Sequence, residues 1–406
     1  MPSPFANRDF LLLFSIGALQ SIVRWLELLA FGVYVFDLTD SAVLVTMVTL
    51  AKFAPLALFG VPAGILPATF PSRSLYLWGL ILMILVNIVG VLLVWTGSLS
   101  VLQILLISFT GGLFWVLDFP VRRALIGDAV SQSELGPTMA IDTIANNGTR
   151  MIGPVAGGAL LQVIGLKGAF VVAIAAYMLC FLLTLKLKVG RDLIHSRQSE
   201  GIFTGLANGI ALVRKQTLLL AVLLVTVAYN LFGFPVLSLV PVIGRDVLQL
   251  SPIHVGALAS MEGAGALVGS LLMFKLAITE HYRKLYAGGL LIFLVATICY
   301  AFLQQSILIA SLLFIAGAGS AAFAAMQTTL LILNASREYR SRLFGLLSLS
   351  IGTGFFGFTF LGLLVYLTEA QTAIFLSGLL GVFALLLIVR LWPAIIEQQN
   401  STRSSV

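Results

Sequence analysis

The sequence predicts an all-α polytopic membrane protein, with twelve transmembrane helices in two pseudo-symmetric six-helix halves. Three observations predict it. Of 406 residues, 60% are hydrophobic and only 10% are charged, where a soluble chain is about half apolar and about a quarter charged. The mean hydropathy of +1.08 leaves little polar sequence to cover a soluble surface. The apolar residues, roughly 244 of them, supply about twelve helical crossings at ~20 residues each. This composition excludes a secreted disulfide scaffold, a nucleic-acid binder and a disordered chain. Helices satisfy their own backbone groups in lipid. A transmembrane barrel would instead show alternating segments of ~10 residues, and the sequence has none.

Apolar runs of spanning length fall at 10–36, 42–64, 75–96, 101–120, 137–164, 168–188, 217–243, 254–274, 285–304, 306–333, 343–367 and 372–394. The first is too long for the apolar core of a cleavable signal and holds Arg24 and Glu27. Short breaks carry turn formers such as Asp40-Ser41, Gly97-Ser98 and Gly165-Leu166-Lys167. The longest polar stretch, Val189 to Gly201, precedes Ile202, Leu206 and Ile210 at helical spacing, which predicts a helix lying at the membrane interface. The chain thus divides into an N-terminal six-helix bundle (1–188), a cytoplasmic linker with its interfacial helix (189–215) and a C-terminal six-helix bundle (216–406). At an offset of about 204 residues, Glu134 overlays Glu338, Gly158 overlays Gly362 and Ala169 overlays Ala373. Paired halves of this kind place a substrate site near the midplane between them.

Positive charge sets the expected orientation. Of 23 Lys and Arg, only Lys167 and Arg245 fall in the loops opposite the termini, and three lie within spans, leaving 18 on the side of the termini. Excess Lys and Arg marks the cytoplasmic face, so both termini are expected in the cytoplasm and the protein in the plasma membrane. The net charge of +7 has the same origin and needs no nucleic acid. Cys180 and Cys299, far apart in apolar runs, read as small buried hydrophobes.

Charges within spans are costly and mark function. They are Arg24, Lys52 and Arg150 against Glu27, Asp118, Asp142 and Glu262. Arg24 and Glu27, three apart, share a helix face, continued by Phe31 and Tyr34. They form an internal ion pair that locks the helix, or a polar patch on the cavity wall with Arg24 attracting an anionic group. Lys52 can claim Glu27 instead and free Arg24. Asp142, Asn146 and Arg150 recur every four residues as a polar stripe, a packing network against span four or a functional track. Glu262 has no basic residue in the second half's spans to pair with it. A lone buried carboxylate favours its protonated form, as a proton carrier requires; the bland alternative is a protonated Glu bonded to backbone. Glu262, Glu27 and Asp142 are therefore the proton-coupling candidates. Gly153, Gly157 and Gly158 read as a close helix contact, and Pro154 as a bend. Asn230, flanked by Tyr229, Phe232 and Phe234, suits a bulky amphipathic ligand or plain aromatic packing. His195, His254 and His281 are too scattered for a metal site. There is no phosphate-binding Walker loop, so neither metal nor cofactor is expected.

Arg150-Met-Ile-Gly-Pro-Val-Ala-Gly-Gly158 resembles the G-P-x-x-G-G motif of the drug and proton antiporter branches of the major facilitator superfamily. Phe36-Asp-Leu-Thr-Asp-Ser41, Arg123-Ala-Leu-Ile-Gly-Asp128, Pro235-Val-Leu-Ser-Leu-Val-Pro241 and Tyr339-Arg-Ser-Arg-Leu-Phe-Gly345 are similar to its multidrug, macrolide and siderophore exporters. Two departures stand out. Gly64-Ile-Leu-Pro-Ala-Thr-Phe-Pro-Ser-Arg73 has Ala68 where that superfamily's loop carries an acid, and Arg24 occupies a position often acidic in the exporters. The resemblance implies that Arg150 and the glycines with Pro154 gate the cavity. It also implies alternating access around a cavity lined by spans one, two, five, seven, eight, ten and eleven, with Gly317-Ala-Gly319 and Gly352-Thr-Gly354 as close-packed seams. The expectation is a secondary active transporter, not an enzyme, acting as a monomer in the bilayer. It would export a small amphipathic molecule, drug- or siderophore-like, in exchange for protons. An uncoupled or lipid-type facilitator, or an importer, of the same fold is the alternative. The expected substrate and cavity contacts are Arg24, Glu27, Phe31, Lys52, Asn230 and Phe234.

Overall fold

The computed structural model describes residues 7–63, 70–190, 213–214, 216–276, 281–334 and 340–396, and among them there is no strand. The loop containing Ala68, the expected interfacial helix with Ile202, Leu206 and Ile210, and residues 335–339 lie outside these described residues. Twelve long helices follow in order, and all but α5 are long and apolar enough to cross a membrane: α1 (Arg8–Thr39), α2 (Ala42–Ala63), α3 (Ser72–Trp95), α4 (Val101–Ala129), α5 (Gln132–Val163), α6 (Leu166–Leu185), α7 (Thr217–Val247), α8 (Pro252–Leu276), α9 (Tyr282–Tyr300), α10 (Ser306–Asn334), α11 (Arg340–Gly352 continued by Gly354–Leu367) and α12 (Ala370–Leu391).

Local chemistry explains where these helices start and stop. Asn7 caps α1 by accepting from the backbone N–H groups of Asp9 (3.0 Å) and Phe10 (3.2 Å). Asp40 ends α1 in the left-handed region (φ 52°), and Gly165 (φ 75°) makes the tight joint between α5 and α6. A capping box opens α5: the Ser131 hydroxyl donates to Glu134 Oε2 (2.7 Å), as does the Ser131 backbone N–H (3.2 Å). Those donors hold the exposed Glu134 carboxyl below the ordinary range.

Two spans differ from the sequence reading. α4 runs on to Ala129 rather than ending near residue 120, so Arg122 and Arg123 are helical and not part of a cytoplasmic loop. Arg122 can stay in the helix because Asp118 and Asp142 both flank it. α7 is not one regular helix. After Ala228 it passes through a π-turn (Tyr229–Gly233), a 3₁₀ stretch (Phe234–Leu239), one α-turn (Val240–Val242) and a second π-turn (Ile243–Val247). Pro235 and Pro241 have no N–H to give to the helical ladder, so its bonds re-form with a different spacing.

The apolar core is divided unevenly along the bundle axis. At the end away from the termini one cluster joins both halves, with Phe31, Val35 and Phe170 alongside Val236, Leu239 and Ile374. At the end that carries the termini there are two separate clusters. One holds Phe10, Tyr76, Leu80 and Leu125 of the first half, the other Leu219, Tyr286, Leu290 and Leu330 of the second. The ion pair Arg245–Asp37 (2.6 Å) closes the distal end further. Large apolar side chains such as Trp78, Trp95, Ile307 and Phe383 are exposed on the perimeter, as lipid contact demands. Cys180 is buried as expected, but Cys299 is exposed.

Small residues form the seam between the halves. Along α5 and α8, a Cβ at Gly158 would strike the Pro252 carbonyl, one at Gly256 the Pro154 carbonyl, and one at Gly263 the backbone of Arg150. Asn147 Nδ2 donates across the same seam to Ser270 Oγ (2.8 Å). A Cβ at Gly352 would lie 3.4 Å from Ala57 of α2, at ordinary contact distance. Gly317 packs on the backbone of Glu262 and Gly319 on that of Gly289. The internal repeat also shows at an offset of 210 between α3 and α9. Arg73, Tyr76 and Gly79 of α3 match Arg283, Tyr286 and Gly289 of α9. Arg73 Nη2 donates to the Leu185 carbonyl (2.7 Å) and Arg283 Nη1 to the Ala394 carbonyl (3.0 Å), each securing the last helix of its own half.

Candidate functional site

Between the halves lies a cavity whose empty space, counted with the solvent it opens to, is about 700 Å³. α1 contributes Trp25 and Leu29, α2 Thr49 and Phe53, α5 Arg150 and Pro154, α7 Phe234 and Ser238, α8 Glu262, and α11 Phe358. Six of the expected seven spans, the irregular α7 among them, thus line it; α10 stays behind and reaches the wall at Glu262, where Ser320 Oγ donates to its carboxylate (3.2 Å). The walls are aromatic. Phe53 packs against Phe234 and Phe358, each at 5.2 Å between ring centroids. The unwound α7 places Phe234 there, since its 3₁₀ turn begins at that residue.

The charged pair in this wall is Arg150–Glu262, joining α5 of the first half to α8 of the second. Glu262 is therefore not the unpaired carboxylate expected from the sequence. Its partner comes from the opposite half, which a search of its own half could not find. Arg150 also lies over the Trp25 ring at 5.3 Å, a favourable cation–π distance.

Glu27 pairs with Lys52 (2.9 Å), both side chains nearly fully buried, which decides between the two pairings open in the sequence. Arg24 is thereby free of Glu27 and donates to Ser21 Oγ (2.9 Å) and Asn146 Oδ1 (3.0 Å). The stripe Asp142, Asn146 and Arg150 is not one network but three separate contacts, to Arg122, Arg24 and Glu262 respectively. Phe31 is 1% exposed and packs on Phe170 at 5.4 Å, so it belongs to the distal core and not to the cavity. Asn230 is buried and donates to the Thr226 carbonyl (2.9 Å) in the first π-turn of α7, away from the cavity wall. Phe234 and Pro154 line the cavity; Gly153, Gly157 and Gly158 pack α5 on α1 and α8, Gly153 against Trp25 and Gly157 against the Leu26 carbonyl.

Trp25, Phe53 and Phe358 carry much of the wall and were not singled out by sequence. Aromatic residues are frequent in apolar spans, so composition gave no signal; Trp25 alone had one, as the neighbour of Arg24. Breaking the buried Lys52–Glu27 pair by Lys52→Met should cost about 3 kcal/mol, because a carboxylate is left buried without its partner. The double variant Lys52→Met/Glu27→Gln should recover most of that loss, as read by thermal unfolding of purified protein.

The sequence profile of the transmembrane secretion effector family matches residues 2–401. The multidrug resistance protein MdtG of Citrobacter koseri is 28% identical over 235 residues, 55% of this chain and 55% of that protein. That of Escherichia coli is 26% identical over 235 residues with the same coverage. The match thus spans about half the length of these curated relatives. Among solved structures, a bacterial homologue of the human lysosomal transporter Spinster, inward-facing and unoccupied, superposes with a TM-score of 0.72 at 15% identity. It covers 98% of this chain and 100% of that one. A POT family transporter in complex with a thioalcohol-conjugated peptide gives 0.74 at 12% identity, covering 96% and 97%. These two likenesses concern the fold alone. The twelve helices, the cavity between the halves and the match along nearly the whole sequence lead to one conclusion: the chain belongs to the transmembrane secretion effector family of major facilitator superfamily transporters, as a multi-pass membrane protein.

Proposed function

We propose that this protein is a secondary active exporter that moves a small amphipathic compound by alternating access in exchange for protons. The observation that carries the reading is the Arg150–Glu262 pair, which bridges the two halves in the wall of the central cavity. Glu262 has two competing partners, the Arg150 guanidinium and a proton. Protonation removes the charge that holds Arg150 and loosens the bridge, so the halves are freed to rock; deprotonation restores it. Protonation and substrate then bias the same two-state equilibrium, as coupling requires. Asp142, which shares Arg122 with Asp118, and Glu27, held by Lys52, are the secondary proton candidates.

The charge pattern supports the orientation that the export reading assumes. With the termini in the cytoplasm, the apolar core shared by both halves closes the outer side, and the cavity is loaded from within. The aromatic walls favour a bulky apolar body, in line with the multidrug description of the MdtG relatives. Arg150, Pro154 and Gly153 to Gly158 keep α5 close to α1 and α8, where rocking takes place.

Untargeted mass spectrometry of cells and spent medium, with and without the gene, identifies the exported compound as one that accumulates inside and vanishes outside on deletion. The reverse pattern overturns export in favour of import. With that compound in proteoliposomes, the wild type should transport faster as the proton gradient steepens. Glu262→Gln should transport at a rate independent of the gradient. An unchanged gradient dependence in Glu262→Gln removes Glu262 from coupling, and a gradient-independent wild type makes the protein an uncoupled facilitator.

A further inference from the structure

Beside the central cavity, inside the first half, lies a smaller and narrower polar chamber between α1, α2, α4 and α6. Its charged groups are unevenly partnered. Lys52 is held by Glu27. Arg24 meets a hydroxyl and an amide oxygen, but no carboxylate oxygen comes within 4.0 Å of it among the described residues, and its Nε is buried without a partner. Gln20 Nε2, on the same wall, is also buried without an acceptor. Asp118 lines the chamber too. Its Oδ1 accepts from the Tyr76 hydroxyl (2.7 Å) and faces Arg122 Nε at 3.5 Å, while its Oδ2 has no hydrogen-bond donor among the described residues.

The second half provides a control written into the same molecule. Tyr286, the counterpart of Tyr76, bonds to the Thr226 hydroxyl (3.0 Å), and Gln327 Nε2 donates to that hydroxyl (2.7 Å). Thr226 and Gln327 there take the places that Gln20 and Asp118 hold around Tyr76. A neutral, mutually satisfied network therefore meets the packing need of this fold at that position. The charges of the first half are not required for it, and charge inside a span is costly.

We propose that this chamber binds the zwitterionic head of the transported compound. A carboxylate-like group sits on Arg24 and Gln20, and a protonated amine on Asp118. The inference rests on the reading of the central cavity as the substrate site. A lone anion at Arg24 would face Asp118, and a lone cation at Asp118 would face Arg24; a zwitterion meets both and leaves the net charge of the chamber unchanged. Trp115 connects the two spaces, lying over Arg24 at 4.8 Å and edge-on to Phe53 at 5.1 Å, and Phe53 lines the central cavity. An aromatic body attached to the head would run along that wall.

The test uses purified full-length protein in lipid nanodiscs and three probes with one aromatic body: Nε-dansyl-lysine (zwitterion), dansylglycine (anion) and dansylcadaverine (cation). Binding is read by energy transfer from tryptophan, since Trp25 and Trp115 border the two spaces. The zwitterion should bind about tenfold tighter or better than either single-charge probe, a difference that corresponds to ~1.4 kcal/mol. Arg24→Gln should erase its advantage over the cation, and Asp118→Asn its advantage over the anion, while Arg24→Lys restores part of the first. Thermal unfolding of each variant separates lost binding from lost fold. Equal binding of the three probes, tightest binding of the anion or the cation, no binding of any, or a zwitterion preference that survives in both folded variants overturns the proposal. Because binding is measured without a gradient, a zwitterion preference in a protein that fails to export removes the exporter reading and leaves the subsite standing.

Discussion

Gly158→Leu is expected to leave almost no folded protein in the membrane, whereas Gly148→Leu on the same helix is expected to be tolerated. A side chain at 158 would drive into the Pro252 carbonyl at the start of α8, and backbone cannot swing aside as a side-chain tip can. Moving α8 away is no remedy. The Pro154–Gly256 and Arg150–Gly263 contacts lie further along the same two helices, so relief at one end opens the whole seam. Overpacking of a tight core costs about 1–3 kcal/mol, and in lipid the lost backbone approach is not offset by any hydrophobic gain, since lipid tails are as apolar as the side chains. Gly148 has nothing within 4 Å of its would-be Cβ, so it controls for the chemistry of the substitution. Fluorescence-detected size-exclusion chromatography of tagged protein should give a monodisperse peak for Gly148→Leu and aggregate or no peak for Gly158→Leu. Comparable peaks for the two variants would show that the seam is not tightly closed.

How much of this was legible beforehand depends on the range of each interaction. The twelve helices follow from local hydropathy, and apart from the C-terminal end of α4 their limits lie within a few residues of the expected ones, because caps such as Asn7 and Gly165 are local too. Gly153, Gly157 and Gly158 were readable as a contact surface, since only close approach explains so many small residues on one helix. The irregular path of α7 was half readable: Pro235 and Pro241 forbid regular bonding, but the π and 3₁₀ turns that replace it depend on neighbours. Ion pairing was the least legible. Glu262 and Arg150 are 112 residues apart, and a pairing rule confined to one half necessarily missed them. Arg122 was misplaced for a related reason. A hydropathy window sees two adjacent arginines and ends the span, whereas Asp118 one turn earlier and Asp142 on the next helix neutralise the charge. Phe31 was chosen by helical phase, which gives a face but not what that face meets, and Asn230 by its aromatic neighbours in sequence, which do not say where its amide lies.

Arg150→Ala should destabilise the protein more than Glu262→Ala, and the double variant should be more stable than Arg150→Ala alone. Removal of one partner from a buried pair typically costs about 3–5 kcal/mol, mostly because the other charge stays buried without compensation. The two residual charges are not equally stranded. Without Arg150, Glu262 keeps only the Ser320 hydroxyl (3.2 Å), with its side chain 7% exposed. Without Glu262, Arg150 keeps the Trp25 ring at 5.3 Å and a side chain 15% exposed, facing the cavity, where water can reach it. Arginine tolerates such a site better, being weakly hydrated and able to stack on aromatic faces. Thermal unfolding in nanodiscs, carried out as a double-mutant cycle, should therefore give a favourable coupling energy of at least about 1 kcal/mol and an ordering with Arg150→Ala lowest. The reverse ordering would mean that Glu262 takes up a proton when its partner is removed, so that its charge is never left uncompensated. Repeating the cycle at low pH distinguishes the two cases: protonation abolishes the difference between wild type and Arg150→Ala only where Glu262 carried a charge at the start.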